Sequence, residues 1–280
     1  MITCTFFGGL GNNLFQLATV YNLHKKYGFE LRIPSSVDRG NIQIYNQSTQ
    51  LELNDLFDND FYYDDSIPFF LKTYVHSDYF LHTTDYSFKE IPIQDNCNYR
   101  GYFQSPLYFS DIDIKSEFKL NVKKIDLIKE KYQYYFNKKN ISLHYRLGGD
   151  RVTSSMQHFH KNVSVEFYLN ALSKLSEYNQ DEYNILVFSD NIPLAEKNLS
   201  SLNYPFIFID NKNDNIMDFI MMSLCNINIV GNSTFSWWSA FLNQNQNNKV
   251  IVTENEWFGP GYKHFNLKDT FPKEWIRIKS

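Results

Sequence analysis

From residue 140 onward the sequence alternates between short apolar runs and longer amphipathic ones, and this rhythm restricts the fold more than any other feature. Residues 141–145, 184–188, 206–209, 227–230 and 249–252 read as strands, while 164–178, 192–199 and 216–225 read as helices between them. Strands separated by helices pair in parallel, which predicts a twisted sheet covered on both faces. Ligands of such sheets bind outside the carboxyl ends of the strands. The residues that follow each strand therefore carry the chemistry.

Four of those ends are polar. The first leads into His144-Tyr-Arg-Leu-Gly-Gly-Asp-Arg151, where Arg146 offers a fork of donors suited to phosphate oxygens and two glycines let the backbone pass close by. The next two end in Phe188-Ser-Asp190 and Ile209-Asp210, and the fourth in Gly231-Asn-Ser-Thr-Phe235. Gly231-Asn232 is a turn dipeptide, and Ser233 is a favoured N-cap for a helix running through Trp238. A helix start carries partial positive charge and unpaired N–H groups, so it holds a phosphate without a lysine. Each end taken alone also reads as a plain loop or cap. Together an arginine, carboxylates and a helix start on one rim point to a nucleotide or nucleotide-sugar site.

The N-terminal part is less regular. Residues 2–6 predict a strand, Phe7-Gly-Gly-Leu-Gly-Asn-Asn13 a glycine turn, and 14–27 a helix closed by Gly28. The turn lacks the third glycine of a dinucleotide fingerprint, so it serves either a tight bend alone or a ligand. Residues 29–33 read as another strand, and from 34 to about 110 the periodicity is too poor to place elements. Tyr99-Arg-Gly-Tyr-Phe-Gln-Ser-Pro106 mixes donors and rings in a way that suits sugar hydroxyls, or a polar loop over an aromatic core. Asp111-Ile-Asp113 would present both carboxylates on one face of a strand, as a metal site requires. Its place before a lysine-rich stretch favours a solvated edge. At 280 residues the chain is long for one core, and we divide it into an N-terminal lobe, 1–120, and a C-terminal lobe, 121–280.

Composition removes several classes. A net charge of -4 argues against a nucleic-acid partner, which demands a basic face. The three scattered cysteines, Cys4, Cys97 and Cys225, suit neither a disulfide framework nor a zinc site, and imply a reducing compartment. No apolar run approaches the roughly 18 residues of a membrane span. We therefore expect a soluble cytoplasmic protein with no transmembrane segment, reaching any lipid-linked acceptor as a peripheral protein.

Six segments, in order, resemble the motifs of the α-1,2-fucosyltransferases of glycosyltransferase family 11. They are Phe7-Gly-Gly-Leu-Gly-Asn-Asn-Leu-Phe-Gln16, Gly101-Tyr-Phe-Gln-Ser105, His144-Tyr-Arg-Leu-Gly-Gly-Asp150, Phe188-Ser-Asp190, Met222-Ser-Leu-Cys225 and Asn232-Ser-Thr-Phe-Ser-Trp-Trp238. Glu256-Trp-Phe258 and Trp275-Ile276 fit the family's tail. The resemblance spans nearly the whole chain. It implies an α/β, GT-B-like enzyme of two Rossmann-type lobes whose parallel sheets face a cleft, with 1–120 on the acceptor side and 121–280 binding the GDP-sugar. It further implies inverting transfer of L-fucose from GDP-fucose to the 2-hydroxyl of a terminal galactose in an oligosaccharide or lipid-linked glycan, with no cofactor and no metal.

Carried over residue by residue, the donor would meet Gly9, Gly11, Asn12, Arg146, Asp190, Ser233, Thr234 and Phe235. More distant fucosyltransferases read guanine with an aspartate one helix before the Ser/Thr-Phe turn, and Asp218 stands at that offset; it reads equally as a solvated helix residue. Arg146 and the N–H groups after Ser233 would stabilise charge growing on the departing GDP. The base for the acceptor hydroxyl comes from the opposite lobe or from Asp150, His158 or His160, of which we choose His160, so the catalytic set is Arg146, Asp150 and His160. His144, Trp237 and Trp238 read as core. Two departures stand out. Leu147 replaces the second arginine of the usual His-x-Arg-Arg-Gly-Asp, with an extra glycine after it and Arg151 as a substitute cation, and Asn13 replaces a glutamine. They leave two alternatives, a silent GDP- or glycan-binding protein and a transferase of another GDP-sugar.

Overall fold

The computed structural model describes residues 1–35, 53–59, 61, 63, 64, 66, 71–79, 85–149, 154–175, 182–212, 214–245, 247–253, 255–262 and 264–278, with the backbone alone at 154–156. Two compact units form, Met1–Asn121 with Phe265–Lys273, and Val122–His264 with Glu274–Ser280. The segment 265–273, assigned above to the C-terminal lobe, thus packs within the first unit.

The first unit contains β1 (Ile2–Cys4), α1 (Leu10–Tyr27), α2 (Leu53–Leu56), β2 (Lys72–Val75), β3 (Cys97–Arg100) and α3 (Ile114–Glu117). Its strands pair in parallel in the order β1-β3-β2. Helix α1 begins at Leu10 instead of residue 14, because Gly9 takes up an extended N-cap conformation and the amides of Asn13 and Gln16 fold back onto the Phe7 carbonyl at 3.1 and 3.3 Å. It ends where expected, at Gly28, whose φ of 71° lets its N–H reach the His24 carbonyl. The strand expected at 29–33 is reduced to single bridges, Ile2 to Leu31 and Ile33 to Tyr63.

The second unit opens with α4 (Val122–Lys131) and α5 (Gln133–Phe136) and continues through β4 (Lys139–His144), α6 (Ser154–Phe159), α7 (Val165–Ser173), β5 (Tyr183–Phe188) and α8 (Ile192–Leu199). There follow β6 (Phe206–Phe208), α9 (Asn215–Ser223), β7 (Ile227–Val230), α10 (Thr234–Phe241), β8 (Lys249–Thr253) and β9 (Ile276–Ile278). All six strands are parallel, in the order β6-β5-β4-β7-β8-β9. The chain therefore winds outward from β4 to β6, crosses back, and winds outward again from β7. The gap between β4 and β7 is the topological switch point of the sheet.

Leu143, Val187 and Ile251 in this sheet have no exposed surface, and Ile229 has 1%. Trp237 and Trp238 are fully buried, as expected, with the Trp237 ring 4.8 Å from Phe241 and 5.3 Å from Trp275. Anchoring α10 by two indoles fixes the helix start that faces the switch point. No helix among the described residues is long and apolar enough to cross a membrane.

Candidate functional site

The carboxyl ends of β4 and β7 approach each other closely. The Tyr168 hydroxyl donates to the His144 carbonyl at 2.8 Å, and a Cβ on Gly231 would stand 2.8 Å from that carbonyl oxygen and 3.0 Å from the hydroxyl. Glycine is required there by close approach. Ser233 then takes the N-cap position of α10 in extended conformation, but its side chain makes no capping bond. The N–H groups of the first turn, including those of Thr234 and Phe235, have no intrahelical acceptor and open at the switch point. The Phe235 ring wedges between His144, 5.9 Å away, and Phe219, 5.4 Å away.

The loop after β4 is shaped by Asp190. One oxygen of its carboxylate accepts the N–H groups of Leu147 at 2.7 Å and Gly148 at 2.8 Å, and the other lies 4.0 Å from Arg146 Nε. Asp190 is thus engaged with the arginine loop itself. A Cβ on Gly148 would meet the Asp190 carboxyl at 3.2 Å, and Gly149 has φ of 61°. The two glycines serve the clamp and the left-handed turn respectively. Leu147 is 2% exposed and packs in the same core cluster as Leu143 and Tyr145, so the position occupied by a second arginine in the usual motif here faces inward. Arg146 itself remains 35% exposed at the rim.

In the first unit, Gly9 is exposed at the start of α1 and Gly11 is buried in its first turn. Gly8, with φ of 80°, lies under the Asn12 side chain, where a Cβ would come within 2.4 Å of Nδ2. Asn12 Oδ1 accepts from Gln104 Nε2 at 3.0 Å. Two segments far apart in sequence are thereby joined at the carboxyl ends of β1 and β3. Asn13, by contrast, is 2% exposed and bonded to Phe7 and Gln16, so it holds the turn from inside. Residues 111–113 form no strand: Lys26 beside Asp111 holds its carboxyl below the usual range, and Asp113 caps α3 through Ser116.

A profile of the family described as glycosyl transferase family 11 matches residues 1–279. The chain belongs to that family. It is 31% identical over 145 residues to the O-antigen biosynthesis glycosyltransferase WbnK of Escherichia coli, which covers 51% of this chain and 45% of WbnK. To an alpha-1,2-colitosyltransferase of Escherichia coli it is 27% identical over 146 residues, 50% of this chain and 48% of the relative. The matched stretch thus spans about half the length of these curated relatives. The crystal structure of the α-1,6-fucosyltransferase NodZ soaked with GDP-fucose aligns with a TM-score of 0.50 at 13% identity, over 92% of this chain and 96% of that one. The fold is α/β and GT-B-like.

In this family-11 chain Asp218 lies in the first turn of α9 and accepts from Asn211 Nδ2 at 2.7 Å. Burial, reinforced by Asp214 and Asp210, pushes its carboxyl up to about 6 despite the Asn211 bond and Lys131. Asn211 Oδ1 accepts in turn from Lys131 Nζ at 3.2 Å and from the Tyr132 hydroxyl. Asp150 and Arg151 lie outside the described residues. The His160 ring is 4.3 Å from Phe159 and 6.1 Å from Phe258, and His158, which is exposed, packs over Gly261, where a Cβ would come within 2.1 Å of its Nε2.

The segment carrying both histidines is tied down at three points that sequence reasoning missed. Asn232 Nδ2 donates to the Lys161 carbonyl at 2.8 Å, the Gly259 N–H to the Phe159 carbonyl at 2.6 Å, and the Glu256 carboxylate accepts both the N–H and the hydroxyl of Ser164 at 2.6 and 2.7 Å. Only the tail motif around Glu256 hinted at this. What the second unit presents, then, is a guanidinium and a row of backbone donors on one rim, a combination suited to an anionic diphosphate.

Proposed function

We propose that this family-11 chain is an inverting transferase that moves L-fucose from GDP-fucose to the 2-hydroxyl of a terminal galactose in an oligosaccharide or lipid-linked glycan, in the cytoplasm and without a metal ion. One observation carries the proposal. Arg146 and the start of α10 follow the two strands that flank the switch point, β4 and β7. Displacement at the anomeric carbon sends negative charge onto the departing diphosphate, and donors fixed in advance at that charge are the chief source of acceleration in such reactions. A guanidinium fork and aligned N–H groups meet the need without a cation. In this scheme Ser233, Thr234 and Phe235 cradle phosphate, Asp218 reads the guanine edge, Asp190 sets the arginine loop, and His160 or Asp150 takes the acceptor proton.

Two names support it. One relative is an α-1,2-transferase, and the aligned NodZ structure is of a fucosyltransferase soaked with GDP-fucose. The first of these also favours a second reading, transfer of a different sugar from its GDP form to the same kind of hydroxyl.

The test is to incubate the full chain with a panel of GDP-sugars and methyl galactosides in EDTA, with the linkage of any product read by NMR. Fucosyl transfer at the 2-hydroxyl, strongly reduced in Arg146→Ala, is expected. Calorimetric binding of GDP with no donor consumed would instead make the chain a silent binding protein, and activity lost in EDTA and restored by a divalent cation would overturn the metal-free scheme.

A further inference from the structure

The first unit contains a buried polar cluster that the scheme above does not use. His76 and Asp78 are each 2% exposed. His76 Nδ1 lies 2.8 Å from Asp78 Oδ1, and the Tyr108 hydroxyl lies 3.0 Å from His76 Nε2. The Asp78 N–H also points at His76 Nδ1, at 3.2 Å, and the Tyr108 oxygen accepts the Lys89 N–H at 3.1 Å, so both ring nitrogens and the hydroxyl are held by hydrogen-bonding partners. The Asp78 carboxylate takes two successive backbone donors, the N–H groups of Tyr102 at 2.9 Å and Phe103 at 2.7 Å.

These bonds impose a shape the loop would not choose. Phe103 is held at φ of 51°, a left-handed conformation that a bulky residue adopts only under constraint. Gly101 is hemmed in so that a Cβ would stand 2.6 Å from His76 Cβ and 3.0 Å from Asp78 Oδ1. Burying a carboxylate and an imidazole is expensive, and an apolar cluster would stabilise the unit as well or better. What the cluster does achieve is orientation. With Phe103 turned over, Gln104 meets Asn12, and their mutual bond engages Gln104 Nε2 and Asn12 Oδ1. Asn12 Nδ2 and Gln104 Oε1 carry no hydrogen bond to any described residue, which leaves one donor and one acceptor at neighbouring strand ends.

We infer that Asp78, His76 and Tyr108 are positioning residues for sugar recognition: they set residues 101–105 so that Asn12, which the family resemblance assigned to the donor, instead joins Gln104 in presenting an amide donor and an amide acceptor to adjacent hydroxyls of the acceptor hexose. The inference rests on the transferase proposal for the identity of that sugar, but its test does not depend on turnover.

Saturation-transfer NMR with methyl β-galactoside, together with calorimetry with GDP, is run on the full chain and its variants. Asp78→Asn and Gln104→Leu are expected to weaken galactoside binding by about 10-fold or more, while the GDP Kd and the folded far-UV spectrum stay as in the parent chain. His76→Asn, which keeps a hydrogen-bonding amide where Nδ1 stood, should retain the parent galactoside affinity within about 3-fold, whereas His76→Leu should behave like Asp78→Asn. Galactoside binding unchanged in both Gln104→Leu and Asp78→Asn overturns the inference. Binding that is lost in Gln104→Leu in a chain that never binds GDP would sink the donor proposal and leave the sugar-reading pair standing.

Discussion

The two units solve one structural problem by different means. In the second unit the polar groups stand at the ends of β4 and β7, and regular geometry does most of the placing: parallel strands, a crossover, and a helix whose first turn opens at the switch point. In the first unit the strand ends carry irregular loops, and side chains impose the shape, with Asp78 gripping two backbone amides and Gly8 clearing space for Asn12. The difference teaches where each is vulnerable. A site built on sheet topology fails by losing a single charged side chain or by a backbone clash, whereas one built on buried polar bonds fails in orientation long before it fails in fold.

Four measurements bear on that contrast, and the largest effect belongs to Arg146. If backbone geometry and one guanidinium carry the second unit's chemistry, Arg146→Ala lowers kcat by on the order of 10²–10³-fold while the melting temperature barely moves; steady-state kinetics alongside a thermal melt checks both halves. Next comes Gly231→Ala. Its added methyl would press on the His144 carbonyl at 2.8 Å, so destabilisation of roughly 2–4 kcal/mol in urea titration is expected, with GDP affinity falling in step.

Asp218→Asn has the opposite sign. The folded carboxyl titrates at about 6 and the unfolded one near 3.8, so between those values the native state keeps a proton that the unfolded chain has released. Stability therefore falls as pH rises through this window, and above it the full penalty applies. In the absence of nucleotide, Asp218→Asn should be more stable than the parent at pH 7 by roughly 1–2 kcal/mol and indistinguishable from it below about pH 4, as read from urea midpoints across pH. The smallest effect is expected at Asp111, whose bond to Lys26 joins two partly exposed side chains. Asp111→Asn should cost no more than about 1 kcal/mol and leave activity unchanged in a coupled GDP-release assay.

The second unit was largely legible from sequence. Its apolar alternation marked the strands, and the expected N-cap at Ser233 and the buried indoles of α10 are where periodicity and capping rules put them. Those are local signals, carried by neighbours a few residues apart. Missing from them was what Ser233 and Asp190 do there: the serine hydroxyl does not cap, and the aspartate braces the loop beside it. The first unit resisted because its elements are short and its shape comes from contacts such as Asp78 with residues 102 and 103, or Gln104 with Asn12, which no periodicity announces.

Sequence by itself determined the parallel α/β class, the polar strand ends, the kinship with family 11 and the residue types on offer, since all of these follow from patterns along the chain. Tertiary structure alone decided that β7 lies against β4, so that Arg146 and the start of α10 flank one switch point. It also turned Leu147 into the core, Asn13 into the turn, and Asn12 onto Gln104. The physical reason is the same in each case: the direction a side chain takes is set by which distant backbone packs beside it, and strand order and loop closure fix that only when the whole sheet has formed.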